Sequence, residues 1–406
     1  MNIWFISKYA SPPNYAKFPS RLFYLAKEMQ KLGNKVLLIT SDSNHLADFP
    51  KTKTIFNKEY VDGLQVKWIR TFKYKKTASI SRVLSWLDFE RKLFSMRIST
   101  SFKPNVVVVS SLSIFSIVYG YYLKKKFRSF LVFEIRDIWP LTMTEEGGFS
   151  KWHPLVLLIG YIEKFGYKKA DLIVGTMPKL NEHVKNIIGY DKAFLCSPLG
   201  FEASKYREND VNGQNIFQKL NNKTVIGYAG SIGITNALDT FVDTIKLLNG
   251  NSKIHFLILG SGDLKQKYVK QLFGCKNVTF LPRISQDEVK SFLAICDILY
   301  LSTKNSKVWE FGQSMNKVVE YMLAGKPIIA TYTGYPSMIN EAECGLFVQS
   351  NKTEDLKNAF LYFSYMSEDE RLKIGENGRN WIYQYRTYDK LAKDYIDTIT
   401  NLMGNR

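Results

Sequence analysis

Two hydrophobic patterns alternate along the chain. Apolar runs at 3–7, 35–41, 106–110, 130–135 and 170–175 have the length and continuity of strands buried on both faces. Between the first two, Leu22, Leu25, Ala26 and Met29 recur at helical spacing over 20–32, and Gly33 follows as a left-handed cap. Strand, helix and strand in this order form the βαβ unit of a parallel sheet. The pattern restarts at 224–229. A glycine-bearing turn at 230–233 leads to a helix with Leu238, Phe241, Ile245 and Leu248, then to strand-like runs at 254–260, 278–281, 297–302 and 327–331. Polar residues at 199–222 separate the two series, and an amphipathic helix over 385–402 closes the chain. The fold class expected is α/β: two Rossmann-like doubly wound domains, 1–200 and 201–384, facing a central cleft, with 385–406 able to cross back to the first. Ligands of such sheets sit at the carboxyl ends of the strands.

Composition narrows the class. The 406 residues are 45 % hydrophobic and 23 % charged, which excludes disorder, collagen and coiled coil as the main architecture. The longest apolar run, 155–162, is far short of the roughly 20 residues a spanning helix needs. The opening MNIWFISKYASPP lacks the basic start and long apolar core of a signal peptide and reads as a first buried strand. Cys196, Cys275, Cys296 and Cys344 are far apart with no CxxC, which suits a reducing cytoplasm. His45, His153, His183 and His255 show no ligand spacing, and there is no Asp-x-Asp pair, so no metal and no other cofactor is expected. Neither a Gly-x-Ser-x-Gly elbow nor a Walker sequence occurs.

Charge separates the halves. The net charge is +19. Residues 1–200 hold 31 basic and 15 acidic side chains, and 201–406 hold 25 and 22. The excess therefore calls for a polyanionic partner of the first half: nucleic acid, an anionic membrane or a pyrophosphate-bearing acceptor. Basic and aromatic residues interleave at 73–76, 80–98 and 121–128, and 152–165 adds further aromatics. Segments of this kind lie on anionic lipid, although each taken singly also fits a helix packed on the sheet with its lysines in water. No nucleic-acid module is recognisable, so a membrane surface is expected and a nucleic-acid partner is not.

The richest candidate chemistry lies in 314–330, SMNKVVEYMLAGKPIIA. A helix starting near Ser314, capped by Ser314 or Asn316, presents free N–H groups to an anion. Lys317 in its first turn opposes the helix dipole, which makes sense if it meets a phosphate. Glu320, one turn on, is placed to accept hydrogen bonds from a ribose diol. The same spacing fits an ordinary amphipathic helix with solvated Lys and Glu, and spacing alone leaves both open. Gly230, Ser231 and Gly233 in YAGSIG at 228–233 let backbone N–H groups approach a diphosphate, or simply make a tight turn. Gly260-Ser-Gly262 is a third glycine turn at a strand end. Arg136 and Asp137 in FEIRDIWP at 133–140 emerge at a strand end, with Asp137 able to orient or deprotonate a hydroxyl, or to close a loop as an ion pair with Arg136.

These blocks resemble the family-4 retaining glycosyltransferases of GT-B fold. Glu320-Tyr-Met-Leu-Ala-Gly-Lys-Pro327 is similar to that family's donor helix, and Ser314-x-Asn-Lys317 with Arg136-Asp-Ile-Trp-Pro140 is similar to the subgroup that builds O-antigen and colanic-type polysaccharides, L-fucosamine transferases among them. The resemblance implies that Glu320 contacts the donor ribose and that Gly260 shapes the base pocket. Ser314 and Asn316 fall in the donor site, and Asp137 meets the acceptor hydroxyl. The sequence departs from the family in three places. Gly312 stands where the first Glu of the family's pair is usual, with Glu310 two residues earlier. Residues 234–239 lack the usual Arg/Lys diphosphate clamp, leaving Lys317 and Arg283 as the cations in suitable loops. The loop after the first strand reads Asn14-Tyr-Ala-Lys17 instead of paired glycines, with Arg21 beyond it as the candidate contact for acceptor phosphate.

The implied reaction is sugar transfer with retention and no covalent nucleophile, in which the leaving diphosphate helps take the acceptor proton and the protein supplies positioning and charge. The partners implied are a nucleotide-sugar donor, most naturally a UDP-sugar, and a lipid-diphosphate-linked saccharide acceptor at the inner face of a bacterial plasma membrane. A nucleotide-sugar 2-epimerase of the same fold and a non-catalytic basic scaffold remain open alternatives at this stage.

Overall fold

The computed structural model describes all residues except 16–19, 45–49, 51, 75–78, 99–101, 207–221 and 406. Part of the 14–17 loop, Lys75, Lys76 and most of 199–222 therefore lie outside the described residues. The chain divides into two compact units, Met1–Gly200 with Tyr388–Arg406, and Phe201–Thr387.

The first unit runs β1 (Asn2–Ile6), α1 (Arg21–Lys31), β2 (Lys35–Ser41), β3 (Phe56–Val61), β4 (Leu64–Ile69), α2 (Ile80–Ser95), β5 (Val106–Ser110), α3 (Ser116–Phe127), β6 (Phe130–Ile135), α4 (Leu141–Glu145), α5 (Pro154–Lys169), β7 (Leu172–Gly175), α6 (Leu180–Ile188) and β8 (Phe194–Cys196). The second runs β9 (Thr224–Ala229), α7 (Asp239–Leu247), β10 (Ile254–Leu259), α8 (Lys265–Gln271), β11 (Val278–Leu281), α9 (Gln286–Ile295), β12 (Ile298–Ser302), α10 (Asn316–Leu323), β13 (Ile328–Thr331), β14 (Gly345–Val348), α11 (Thr353–Tyr365) and α12 (Glu368–Tyr385). The last helix, α13 (Tyr388–Gly404), belongs to the first unit.

The first sheet has the order β3-β4-β2-β1-β5-β6-β7-β8 and the second β11-β10-β9-β12-β13-β14. Every pairing is parallel except β3 on β4. Register aligns Ile6 with Ile39 and Val109, so Ser7–Lys8, Ser41–Asp42 and Ser110–Ser111 leave the sheet at one carboxyl edge. The apolar helix positions do the expected packing. Leu22, Leu25, Ala26 and Met29 of α1 are buried on Ile3, Phe5 and Leu38, and α13 packs on α1 with Tyr388 stacked on Tyr24 at 5.0 Å. In the second unit Phe241 stacks on Tyr300 at 4.1 Å, and Phe256 and Phe360 close the cluster edge-on.

Three elements differ from expectation. A hairpin, β3 and β4, turns through Asp62 and Gly63, both at positive φ, as a two-residue turn between right-twisted strands requires. Phe56–Val61 is half-exposed at the sheet edge and lacks the continuous apolar run of the other strands. The closing helix starts at Tyr388, because Tyr385 ends α12, a helix begun by a Ser367–Glu370 capping box. Finally, α10 is not capped by Ser314 or Asn316. Its N-cap is Met315, whose N–H donates to the Gln313 side chain at 3.2 Å.

Arg21 is a further correction. Its side chain is fully buried, with Nη1 on Glu134 Oε2 at 2.6 Å, Nη2 on the carbonyl and hydroxyl of Ser197 at 2.6 Å, and Nε on the Pro198 carbonyl at 3.0 Å. The guanidinium ties α1 to β6 and to the segment after β8, and offers nothing to an acceptor phosphate. Arg21→Met leaves Glu134 charged and buried, so it should lower unfolding free energy by about 3–5 kcal/mol in denaturant titration, while adding Glu134→Leu should recover most of the loss. Equal stability of the single variant and the parent would remove this structural role.

Candidate functional site

In the second unit, β9 ends at Ala229 and the chain turns through Gly230-Ser-Ile-Gly233. The turn is paired beyond the sheet to the one following β10: Gly230 N–H donates to the Leu259 carbonyl at 3.0 Å and Ile232 N–H to Ser261 at 2.9 Å. Gly260 lies at φ +147°, and a Cβ there would stand 1.9 Å from the Gly230 carbonyl oxygen. Only glycine lets the two backbones touch. Gly230, at φ +154°, makes a second close approach, since its Cβ would stand 2.8 Å from Lys317 Nζ.

Tyr321 fixes α10 against this turn. Its buried hydroxyl accepts from Ala229 N–H at 2.9 Å and lies 3.2 Å from the Tyr300 carbonyl. Helical spacing then leaves Lys317 and Glu320 on the flank beside Gly230. Lys317 Nζ donates to the Tyr228 hydroxyl and to Asn236 Oδ1, both at 3.2 Å, and sits 4.3 Å from the centre of the Tyr228 ring. Tyr228 in turn donates to the Ser231 carbonyl at 2.6 Å. All these partners are neutral, and Lys317 makes no ion pair among the described residues. Burial pulls its pKa down to about 8, the charge of Glu320 opposing the shift. Burial likewise raises Glu320, with Lys317 holding it back. The arrangement is a cation held ready at a glycine turn and short of negative charge, which a phosphate would supply.

Gly230, Lys317 and Gly260 are thus brought together, Ser231 through its carbonyl on Tyr228 and Glu320 through its charge. Gly233 ends the turn. Asn316 is exposed as the first residue of α10, and Ser314 lies one residue before its N-cap. Arg283 is exposed after β11. Tyr228, Asn236 and Tyr321 were not singled out from sequence. Tyr321 directly follows Glu320, and its only signal was a phenol on a buried helical face.

In the first unit, Arg136 and Asp137 follow β6. Arg136 N–H donates to Ser111 Oγ at 3.0 Å, and that hydroxyl reaches the Asp137 carbonyl at 3.4 Å. Burial raises the Asp137 carboxyl pKa, with the Arg136 charge pulling it back. Beside them is a shallow depression lined by Trp86, Ser111, Ser113, Phe115, Trp139 and Ile159. At the same carboxyl edge, Lys8 is fully buried with Nζ on Ser41 Oγ at 3.2 Å and the Ser43 carbonyl at 2.9 Å, and burial lowers its pKa to about 7. Glu90 accepts from Ser113 and Ser116, and burial raises it to about 7. Among the described residues no cluster of three or more His, Cys, Asp or Glu is placed to hold a metal ion.

Residues 223–364, from the start of β9 into α11, match the family described as Glycosyl transferases group 1, and the match lies within the second unit. No curated protein matches the chain in sequence. Over 100 % of its length the chain is similar in structure to sucrose-phosphate synthase from Thermosynechococcus elongatus, covering 99 % of that chain with TM-score 0.72 and 15 % identity. It is also similar to HepE from Anabaena in complex with UDP (TM-score 0.66, 16 % identity, 99 % and 100 % covered). A third likeness is to the trehalose-6-phosphate structure from E. coli bound with UDP-2-fluoro glucose (TM-score 0.68, 11 % identity, 98 % of each chain covered). The chain therefore has the GT-B fold of two parallel-sheet, Rossmann-like domains.

Two outcomes test this geometry. Gly260→Ala drives a methyl into the Gly230 carbonyl, and should lower the stability of the second unit by more than about 1–3 kcal/mol and distort the turn that carries Lys317. Unchanged melting would contradict the close approach. Lys317 gives a pH signature. An unfolded lysine keeps its proton up to about 10.5 and the folded one releases it near 8, so between these values the unfolded chain binds more protons and this group's contribution to stability rises with pH. Relative to Lys317→Met, the parent should gain stability from pH 8 to 10.5 in paired denaturant titrations. A difference independent of pH would show a solvated amine.

Proposed function

We propose that the chain is a nucleotide-sugar-dependent glycosyltransferase that takes a UDP-sugar and transfers the sugar with retention, without a metal, to a lipid-diphosphate-linked saccharide. The setting is bacterial surface polysaccharide assembly (O-antigen, lipopolysaccharide, capsule or exopolysaccharide) in the cytoplasm, at the inner face of the plasma membrane. The observation that carries the reading is Lys317, a largely buried ammonium with only neutral hydrogen-bond partners, pressed on the Gly230 turn of a group 1 glycosyltransferase domain. A diphosphate bound at that turn supplies the missing countercharge. Charge grows on the diphosphate as the glycosidic bond breaks, so an ammonium already in position favours the transition state over the ground state. Glu320 takes the ribose diol. Asp137, with its carboxyl raised by burial, orients the acceptor hydroxyl, and Arg136 sets the charge around it. UDP in the HepE complex and UDP-2-fluoro glucose in the E. coli structure support uracil as the base.

The test is thermal stabilisation of the full chain by UDP, GDP, CMP and AMP with chelator present. A ligand that binds only the folded state raises its stability by mass action, by about 2.7 kcal/mol at a hundredfold excess over Kd. UDP should give the largest shift. Glu320→Ala and Lys317→Met should remove most of it, while Asp137→Asn should leave it intact and abolish transfer. A folded protein that no nucleotide stabilises would overturn the donor site and leave the scaffold reading.

A further inference from the structure

Helices α2, α3 and α5 are neighbours in the first unit. Phe94 of α2 meets Tyr119 and Tyr122 of α3 at 5.0 and 5.6 Å, and Tyr121 of α3 meets Phe165 of α5 at 5.3 Å. Each helix buries one apolar face: Trp86, Phe89 and Leu93 on α2, Tyr119 and Leu123 on α3, Val156 and Ile159 on α5. A surface helix then ordinarily shows water a polar face. Here the outward faces are apolar as well. On α2, Ile80, Leu84, Leu87 and Phe94 recur at helical spacing, with Ile80 81 % exposed. Trp152, just before α5, is 72 % exposed, and Leu157, Leu158 and Tyr161 follow, Tyr161 at 69 %. Contiguous exposed apolar side chains on this scale mark an interaction surface.

Charge says what the surface meets. All three acids on these helices are turned inward. Asp88 accepts from Lys92 and the Phe72 N–H, Glu90 from Ser113 and Ser116, and Glu163 from Tyr167 while pairing with His183. Arg91 also pairs with Asp88 at 3.2 Å, and the exposed charges left on the layer are cations, Lys125, Lys126, Lys151, Lys164, Lys168 and Lys169. Several lie against rings: Lys126 Nζ is 5.2 Å from the centre of Tyr122 and Lys151 Nζ 5.3 Å from Trp152. Aliphatic side chains that can enter the acyl boundary, rings at headgroup depth and lysines reaching phosphate are the parts of an interfacial membrane-binding face. No helix among the described residues is long and apolar enough to cross a bilayer, so the contact is one of surface seating.

We propose that the outward face of α2, α3 and α5 seats the first unit on an anionic lipid bilayer, with Ile80, Leu84, Leu87, Trp152, Leu157 and Tyr161 entering the headgroup boundary. The proposal deepens the lipid-linked-acceptor reading and rests on it for its purpose, but it is tested separately. The full chain is floated with phosphatidylcholine vesicles and with vesicles in which about one third of the lipid is phosphatidylglycerol. Binding is expected to the anionic vesicles only and to weaken with salt, with tryptophan emission shifting to the blue. Leu84→Glu with Leu157→Glu, both at exposed positions, should cut partitioning by at least about tenfold. Lys125→Glu with Lys126→Glu should weaken binding and flatten its salt dependence. Circular dichroism checks that each variant folds, and UDP stabilisation should stay at the parent's value because Lys317 lies in the other unit. Vesicle binding indifferent to these substitutions would place the contact elsewhere. A parent that ignores anionic vesicles but responds to UDP would overturn the face and keep the donor site. Vesicle binding without any UDP response would overturn the donor site and keep the face. A dimer dispersed by the same substitutions, with no lipid binding, would make a second copy the occupant and overturn the proposal.

Discussion

The second unit's site depends on how closely α10 approaches the end of β9. The Tyr321 hydroxyl sets that distance by bonding the Ala229 main chain, and Gly230 permits it by carrying no Cβ. Once the gap is this small, Lys317 has little room for water. It is left with a phenol, an amide oxygen and an aromatic face, each a weak substitute for hydration. The lowered pKa of Lys317, the raised pKa of Glu320 and the suitability of the turn for a diphosphate all follow from this one contact. Gly260 extends the same logic, because two strands that end side by side bring their following turns together, and only a residue without a side chain fits the gap.

The first unit is organised by where it puts its negative charge. Glu134 faces Arg21, Glu163 faces His183, Asp88 faces Lys92, and Glu90 is bound by two serines. Internal carboxylates of this kind cost desolvation, which these partners offset in part, since Glu134 Oε1 and Glu90 Oε2 are buried without a hydrogen-bond donor. Carboxylates committed inside are lost from the outer faces of α2, α3 and α5, which adds to the cationic surface that 31 bases and 15 acids in residues 1–200 already produce.

How much was legible follows from the physical range of each signal. Buried parallel strands are continuous apolar runs, so β1, β2, β5, β6, β9 and β10 were readable within a residue or two. The edge strand β3 was not, because half its side chains face water and its pattern resembles a loop. Glycines at strand ends and the Lys317/Glu320 spacing were legible because they are local. Arg21 was misread for the opposite reason. A basic residue at a helix start looks like an anion ligand until a partner 113 positions away is known to lie on it. Lys8 and Glu90 escaped for the same reason, since the groups that desolvate them come from other strands and helices. Sequence pattern reports periodicity and local chemistry, and buried polar pairing is neither.

The departure at Gly312 is a matter of backbone as well as of side chain. Residues Lys307–Phe311 form a 3-10 turn capped by Ser306, and Gly312 follows at φ +98° with its N–H on the Trp309 carbonyl. A glutamate there, as in the family pattern that 320–327 resembles, would be forced into a conformation that side chains resist. Gln313 then turns inward, its amide on the Ser337 carbonyl and its oxygen on the Met315 N–H, so the residue after the glycine is committed to starting α10. Glu310 sits exposed on the turn, two residues upstream. The segment that leads into α10 is therefore held as one unit by its own backbone and by Gln313. Under the proposed reading Glu320, on a helix fixed by Tyr321, takes the ribose, and the position of the family's first glutamate falls on this turn. On that reading the sugar selectivity is expected to differ from that of two-glutamate enzymes, because recognition of a sugar hydroxyl rests on the position of a few polar groups.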